Sequence, residues 1–331
     1  MSFQNIGIIG AGSWGTALAL LLHENRIPLT VWGHDAGHIA DLAAKRENAA
    51  YLPGFPLPDT FRFTAELDDL ASCDLVLLVT PSKAMREVAA RLSTTALPAS
   101  AVLLSCTKGV ERGSGLRMSE ILAECLPNHP IAVLSGPSHA EEVVRKMPTA
   151  VVLGCRQADI LGKLQQAFTT PFFRSYTNDD VAGIELGGAL KNIFALAAGV
   201  SDGLGLGDNS KAALITRALA ELIRLGVALG GKRETFQGLS GIGDLMVTCF
   251  SRHSRNRAVG ERLGRGEPLG AIVASMAMVA EGVPTTYSAH ECAHRLGIET
   301  PIIDQMRALL DGALSAREVA ANLLTRDPKA E

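Results

Sequence analysis

The sequence predicts an α/β fold in which an N-terminal doubly wound sheet is followed by an all-α C-terminal domain. Three observations predict it. Over the first 178 residues, short Val/Ile/Leu runs alternate with helical stretches, the pattern of strands buried on both faces by crossover helices. A glycine-rich turn, Gly10-Ala11-Gly12-Ser13-Trp14-Gly15, joins the first run to the first helix. After Asn178 the apolar spacing becomes purely helical.

The runs expected to form strands are residues 6–10, 29–32, 75–80, 101–105, 131–135 and 149–154, with a further candidate at 172–176. Six such strands with crossover helices form a sheet that binds its ligand at the strands' carboxyl ends. The helices expected beyond them cover residues 181–200, 211–229, 239–250, 257–263, 284–296 and 302–311. A chain of 331 residues is about two domains at roughly 150 residues each. The boundary is expected near Asn178–Asp179, giving domains 1–178 and 179–331.

Composition narrows the class. Hydrophobic residues make up 47% and charged ones 20%, ample for a globular core, and aromatics at 5% leave that core to Leu, Val, Ile and Ala. A net charge of −3 argues against nucleic-acid or anionic-membrane partners, which need a broad basic face. The six cysteines (Cys73, Cys106, Cys125, Cys155, Cys249, Cys292) show no CxxC spacing and read as reduced, mostly buried thiols. The N-terminus lacks a signal-peptide pattern, and no uninterrupted apolar stretch approaches the ~20 residues of a membrane span. The expectation is a cytoplasmic protein without a transmembrane segment.

The glycine turn fits GxGxxG in the setting that gives this motif meaning, after a strand and opening a helix. Gly10 permits a tight turn, Gly12 lets the backbone approach a pyrophosphate, and Gly15 lets helix and strand pack closely. The helix N-terminus adds N–H groups and partial positive charge. The turn reads as the cradle of a dinucleotide-binding Rossmann domain, the alternative being a glycine turn that serves packing only. NAD-preferring sites carry an acid at the end of the second strand, but here Trp32 is followed by Gly33 and His34, and Asp35 lies further on. With no acid placed to repel a 2′-phosphate, NADPH is expected to be accepted, with a preference for it over NADH left open. His34 reads equally as a contact to the 2′-phosphate or adenine and as an ordinary loop histidine.

Two loops leave strands at the ligand edge: Ser105-Cys106-Thr107-Lys108-Gly109 and Ser135-Gly136-Pro137-Ser138-His139-Ala140. Beyond the boundary, Lys191 sits in GGALKNIFALAAG, an ammonium among small and apolar residues. It reads either as a reactive amine or as a lysine snorkelling to solvent. Gly187 and Gly188, one turn earlier, and Ala195, one turn later, leave beside it either a shallow groove or a close helix contact. Downstream lie Gly241-Ile242-Gly243-Asp244 and Ser254-Arg255-Asn256-Arg257. The five arginines 252, 255, 257, 262 and 265 form a basic cluster suited to phosphate, although Arg262 and Arg265 read better as a solvated helix face.

Together these segments resemble the bacterial-type NAD(P)-dependent glycerol-3-phosphate dehydrogenases. The resemblance rests on GAGSWGTALA, SCTKG, LSGPSHAEEV, ELGGALKNIFALAAG, GLSGIGDLMVTC, SRNRAVG and VAEGVPTT, in that order along nearly the whole chain. It implies interconversion of dihydroxyacetone phosphate and sn-glycerol 3-phosphate with NADP(H) and/or NAD(H), supplying the backbone of phospholipids, in a homodimer without a metal cofactor. It implies Lys191 as the proton-transferring residue. It implies substrate contacts from Lys108, Gly136, Ser138, Asp244, Ser254, Arg255 and Asn256. Cofactor contacts would come from Ser13, Trp14, His34, Lys108, Ala140, Arg255, Val279 and Glu281.

The chemistry asks for a proton at the C2 oxygen as hydride reaches C2. A cationic Lys191 would stabilise the developing charge, then deliver the proton. The reverse direction needs a neutral amine, so a lowered lysine pKa is expected from burial and from Lys108, with Asp244 opposing it. A 3-hydroxy-acid reductase of similar build is the rival enzyme, and a non-catalytic NADPH-binding regulator is the rival from another class. The motif His290-Glu291-Cys292-Ala293-His294 matches HExxH, but a zinc hydrolase needs a third ligand, so the two read as exposed helix histidines.

Overall fold

The computed structural model describes residues 3–276 and 278–326. By packing, the chain divides into two compact units, one of residues 1–108 and 117–184, the other of 109–116 and 185–331. Residues 109–116, which lie within the first expected domain, therefore pack with the helical unit.

The first unit carries strands β1 (Ile6–Ile9), β2 (Leu29–Trp32), β3 (Glu47–Asn48), β4 (Leu52–Pro56), β5 (Arg62–Thr64), β6 (Leu75–Leu78), β7 (Val102–Ser105), β8 (Ile131–Ser135), β9 (Thr149–Gly154) and β10 (Phe173–Asn178). Its helices are α1 (Ser13–His23), α2 (Ala36–Lys45), α3 (Met85–Leu92), α4 (Met118–Cys125), α5 (Ala140–Val144) and α6 (Ala158–Phe168). Eight strands form one sheet in the order β10-β9-β8-β7-β6-β1-β2-β5, while β3 and β4 make a separate hairpin. β1, β6 and β7 are buried along their whole length, which is why they read as continuous apolar runs.

The sheet departs from an all-parallel one at a single junction, where β9 runs antiparallel to β8. A parallel return needs a full crossover helix, and α5 between these strands is only five residues long. β5 and the β3–β4 hairpin also lie outside the expected strands. Both are short and rich in polar, proline or glycine residues, so no apolar run announces them.

The second unit is helical: α7 (Val181–Leu204, belonging to it from Glu185), α8 (Gly207–Ala228), α9 (Arg233–Phe236), α10 (Asp244–Phe250), α11 (Arg255–Gly264), α12 (Leu269–Ala274), α13 (Gly282–Leu296), α14 (Pro301–Leu310) and α15 (Ala316–Leu324). The helix expected over 239–250 divides into a π-type turn at Leu239–Gly243 and then α10. α7 is the one described helix long and apolar enough by composition to cross a membrane, with a mean hydropathy of 1.4. Since 89% of that window is buried inside the protein, it serves as the central core helix, whose Leu186, Leu190, Ile193, Phe194 and Leu196 are all buried.

Glycines set how closely α7 meets α11. A Cβ on Gly199 would lie 2.0 Å from the Arg257 carbonyl oxygen, and one on Gly260 would lie 2.0 Å from that of Leu196. Gly203 and Gly264 repeat the contact one turn further on, so the two helices run backbone against backbone.

Glu221 of α8 is 1% exposed, and its two carboxylate oxygens accept the N–H groups of Ile302 (3.0 Å) and Ile303 (2.9 Å) at the start of α14. Those N–H groups have no partner within their own helix, which explains a buried acid at this point. Burial pushes the Glu221 carboxyl up to about 7 from 4.5, against the two backbone hydrogen bonds. A carboxyl raised in the folded state stabilises the fold fully below its unfolded value, and that share is lost as pH rises through about 7. The span from 4.5 to about 7 corresponds to roughly 3 kcal/mol. Urea denaturation at about pH 5 and about pH 8 should therefore show Glu221→Gln losing less stability with rising pH than the parent. Equal losses would remove Glu221 as the cause.

Candidate active site

In the first unit the glycine turn takes the form a dinucleotide cradle requires. Gly10 has φ +126°, and a Cβ there would lie 2.6 Å from the Val79 carbonyl oxygen. A Cβ on Gly15 would fall 1.8 Å from the Gly10 carbonyl oxygen, so only glycine lets α1 start this close to β1. A Cβ on Gly12 would meet nothing within 4 Å, leaving space above the first turn of α1. No acidic residue stands in that turn, so its N–H groups face an anion unopposed. A pyrophosphate fits this cradle. Trp14 packs with Ala140 beside the buried Ala17 and Leu52, so these two expected cofactor residues help to join α1 to α5.

A buried residue absent from the sequence-based expectations supports the turn. Asn48 Nδ2 donates to the Ala11 carbonyl (3.0 Å) and to Thr16 Oγ1 (2.7 Å), and His38 Nε2 reaches the same carbonyl at 3.3 Å. At the end of β2, His34 is exposed. Asp35 caps α2, accepting from the N–H groups of Gly37 (2.9 Å) and His38 (3.1 Å), which hold its carboxyl below the usual range. Its Oδ1 is thus occupied by a local task rather than held out for a ribose.

On the neighbouring strands, Lys108, Gly136 and Ser138 come together. Lys108 Nζ donates to the Gly136 carbonyl at 3.0 Å, and Ser138 Oγ donates to the same oxygen at 2.9 Å. Gly136 has φ +131°, which turns the chain sharply out of β8.

In the second unit Lys191 does not snorkel. It is 6% exposed and donates to Asp244 Oδ1 and to Thr248 Oγ1, the latter at 2.7 Å. Asp244, 1% exposed, opens α10, and Thr248 lies one turn on, so both face Lys191 from one side of that helix. Thr248 also donates to the Asp244 carbonyl at 2.6 Å. An ammonium withdrawn from water here is matched by a carboxylate and a hydroxyl, the condition for burying it charged. Burial pushes the adjacent Cys249 thiol up to about 12, so it stays protonated and does not compete as a base.

The small residues beside Lys191 serve close packing rather than an open groove. A Cβ on Gly187 would lie 2.4 Å from the Ser240 carbonyl oxygen, in the turn before α10. Ser254 caps α11, accepting from the Arg257 N–H at 3.2 Å. Arg255 donates to the Val279 carbonyl at 2.8 Å. Asn256 is buried, donating to Asn192 Oδ1 (2.9 Å) and accepting from the Gly282 N–H (2.8 Å), next to Glu281 at the head of α13. Asn256 therefore ties α7, α11 and α13 together.

The basic cluster also resolves into pairs. Arg257 Nε donates to Asp202 at 2.6 Å, Arg262 binds Glu267, and Arg265 binds Glu261. A second buried lysine, Lys211, joins Asp202 at 2.8 Å, so Lys191 is not alone in being an interior amine. Asn192 and Thr248 are the site's unexpected members. Their only sequence signals are adjacency to Lys191 and the four-residue spacing from Asp244.

The glycine cradle on a largely parallel sheet defines a dinucleotide-binding protein. Residues 5–161 match the N-terminal and residues 180–321 the C-terminal model of the family described as NAD-dependent glycerol-3-phosphate dehydrogenase. The glycerol-3-phosphate dehydrogenases [NAD(P)+] of Citrifermentans bemidjiense and Geobacter sulfurreducens are each 47% identical to this chain, over 99% of both sequences. The crystal structure of glycerol-3-phosphate dehydrogenase from Coxiella burnetii superimposes with a TM-score of 0.94 at 40% identity, covering 98% of this chain and 99% of that one. The chain belongs to the NAD(P)-dependent glycerol-3-phosphate dehydrogenase family.

Proposed function

We propose that this protein reduces dihydroxyacetone phosphate to sn-glycerol 3-phosphate with NADPH or NADH, and that Lys191 is the general acid and, in reverse, the general base. The observation that carries the reading is the buried ammonium held by Asp244 and Thr248. The bound cofactor supplies the hydride. As hydride reaches C2, negative charge grows on its oxygen. The Lys191 ammonium stabilises that charge and transfers its proton to the oxygen. Asp244 keeps the amine oriented and balances its charge while it is protonated, and Thr248 restricts its direction.

Residues 1–178 act as the cofactor-binding domain and residues 179–331 as the catalytic, substrate-binding domain. Gly10, Gly12, Ser13, Trp14, Gly15, His34 and Ala140 contact the cofactor, with Lys108, Arg255, Val279 and Glu281 completing that set. Lys108, Gly136, Ser138, Asp244, Ser254, Arg255 and Asn256 hold the substrate. For Asn256 the support is narrower, since both amide atoms already have protein partners. The protein works in the cytoplasm as a homodimer, and its product enters glycerophospholipid synthesis.

The glycine–histidine sequence after β2 and the capping task of Asp35 support acceptance of a 2′-phosphate. Oxidation of NADH and of NADPH, followed side by side with dihydroxyacetone phosphate, should show turnover with both. A 3-hydroxy-acid reductase would turn over 3-oxo acids instead. Absence of turnover on dihydroxyacetone phosphate with either cofactor would overturn the proposal.

A further inference from the structure

His290 and His294 lie four residues apart on α13, so their rings share a face and stack with centroids 4.1 Å apart. Two imidazoles on one turn lack a third donor, and the fold supplies one from the next helix. Asp304 Oδ1 of α14 lies 3.8 Å from His290 Nε2 and 3.7 Å from His294 Nε2. One donor atom from each residue lies within 4.8 Å of the others.

The arrangement is built by the turn between the helices. Gly297, in the left-handed region at φ +65°, ends α13, and Pro301 starts α14, which brings the first turn of α14 beside the last turns of α13. Thr300 Oγ1 donates to Asp304 Oδ1 at 3.1 Å and fixes the carboxylate from behind. The histidine–aspartate distances are too long for hydrogen bonds, so three polar atoms converge without bonding directly to one another.

We propose that His290, His294 and Asp304 bind a divalent transition-metal ion of the zinc class, at a site separate from the dehydrogenase chemistry. Two imidazoles and one carboxylate suit Zn²⁺, Co²⁺ or Ni²⁺, whereas Mg²⁺ and Ca²⁺ prefer oxygen donors throughout. Donors around a tetrahedral zinc with bonds of ~2.0–2.1 Å stand roughly 3.3 Å apart. The two histidine–aspartate gaps of 3.7 and 3.8 Å must close by about half an ångström, and the donor pair within 4.8 Å by up to about 1.5 Å, through side-chain rotation.

The surrounding charges allow a cation. Arg307 faces the site, but its guanidinium is bound to Asp311 at 2.6 Å. Glu291, the residue that would act as general base in a zinc peptidase, lies 4.0 Å from Arg112. That placement points to a binding site rather than a hydrolytic one. The ion would clamp α13 to α14, two helices otherwise joined by packing and the short turn.

The test is a Co²⁺ titration of the chelator-treated full-length enzyme, read by visible absorption and repeated with Zn²⁺ by calorimetry. The parent should bind one equivalent saturably. His294→Ala, at an exposed position, and Asp304→Asn should each bind about tenfold more weakly or worse. Turnover of dihydroxyacetone phosphate in the chelated state should be the same in all three, which separates this site from the proposed catalysis. No saturable binding by the parent, or parental affinity in either variant, overturns the proposal.

Discussion

Lys191→Ala is expected to lower turnover of dihydroxyacetone phosphate by about 10²–10⁴-fold, the range a positioned proton-transfer group contributes. NADPH affinity should stay within error of the parent, since Lys191 is not among the proposed cofactor contacts. The substitution also removes the ammonium that pairs with Asp244, which is 1% exposed. Removing one partner of a buried ion pair costs roughly 3–5 kcal/mol, so a fall in melting temperature should accompany the loss. Pairing Lys191→Met with Asp244→Asn removes both charges and should recover much of that stability without recovering turnover. An NADPH fluorescence titration, a thermal melt and a steady-state assay on the same preparations separate the effects. Turnover of Lys191→Ala within tenfold of the parent would remove the lysine from the proton-transfer step.

The second large effect is expected at the cradle, where two glycines should fail in different ways. Gly12→Ala adds a methyl where nothing lies within 4 Å, at a φ of −82° that alanine adopts freely. The fold should be untouched while NADPH affinity falls at least about tenfold, near 1.4 kcal/mol, because the methyl occupies the phosphate's approach. Gly15→Ala instead drives its Cβ to 1.8 Å from the Gly10 carbonyl oxygen, a backbone atom that cannot step aside cheaply. Overpacking of this kind costs ~1–3 kcal/mol, so stability and affinity should fall together. Parental affinity in Gly12→Ala would show that the open backbone is not where the dinucleotide sits.

What could be read in the chain follows from which physical signals are local. The buried strands β1, β6 and β7 are visible because both faces are apolar, and the glycine turn because its backbone at Gly10 and Gly15 has no room for a side chain. Lys191 stands out because ammonium groups are rare in such surroundings. The antiparallel turn of β9 was not legible: an apolar run of residues 149–154 has the same composition in either direction, and a five-residue α5 leaves little periodicity to read. Asn48 and Thr248 are ordinary polar residues whose weight comes from partners 37 and 57 positions away. HExxH looked incomplete for a similar reason, since Asp304 joins it only when α14 folds back beside α13. Asn256 shows the same. The arginine–asparagine pair gives no local sign that the amide bonds Asn192 and Gly282 and so joins three helices.

The four glycines at the α7–α11 contact also limit how this enzyme can change. Exchanging helical glycine for alanine is a common way to make a protein more heat-resistant, because it stiffens the unfolded chain. At residues 199, 203, 260 and 264 that route is closed, since every added methyl would meet main-chain atoms of the opposite helix at 2.0–2.6 Å. Heat-adapted relatives with this crossing must gain their tolerance elsewhere and keep the most flexible residue type in the rod that carries the buried amine.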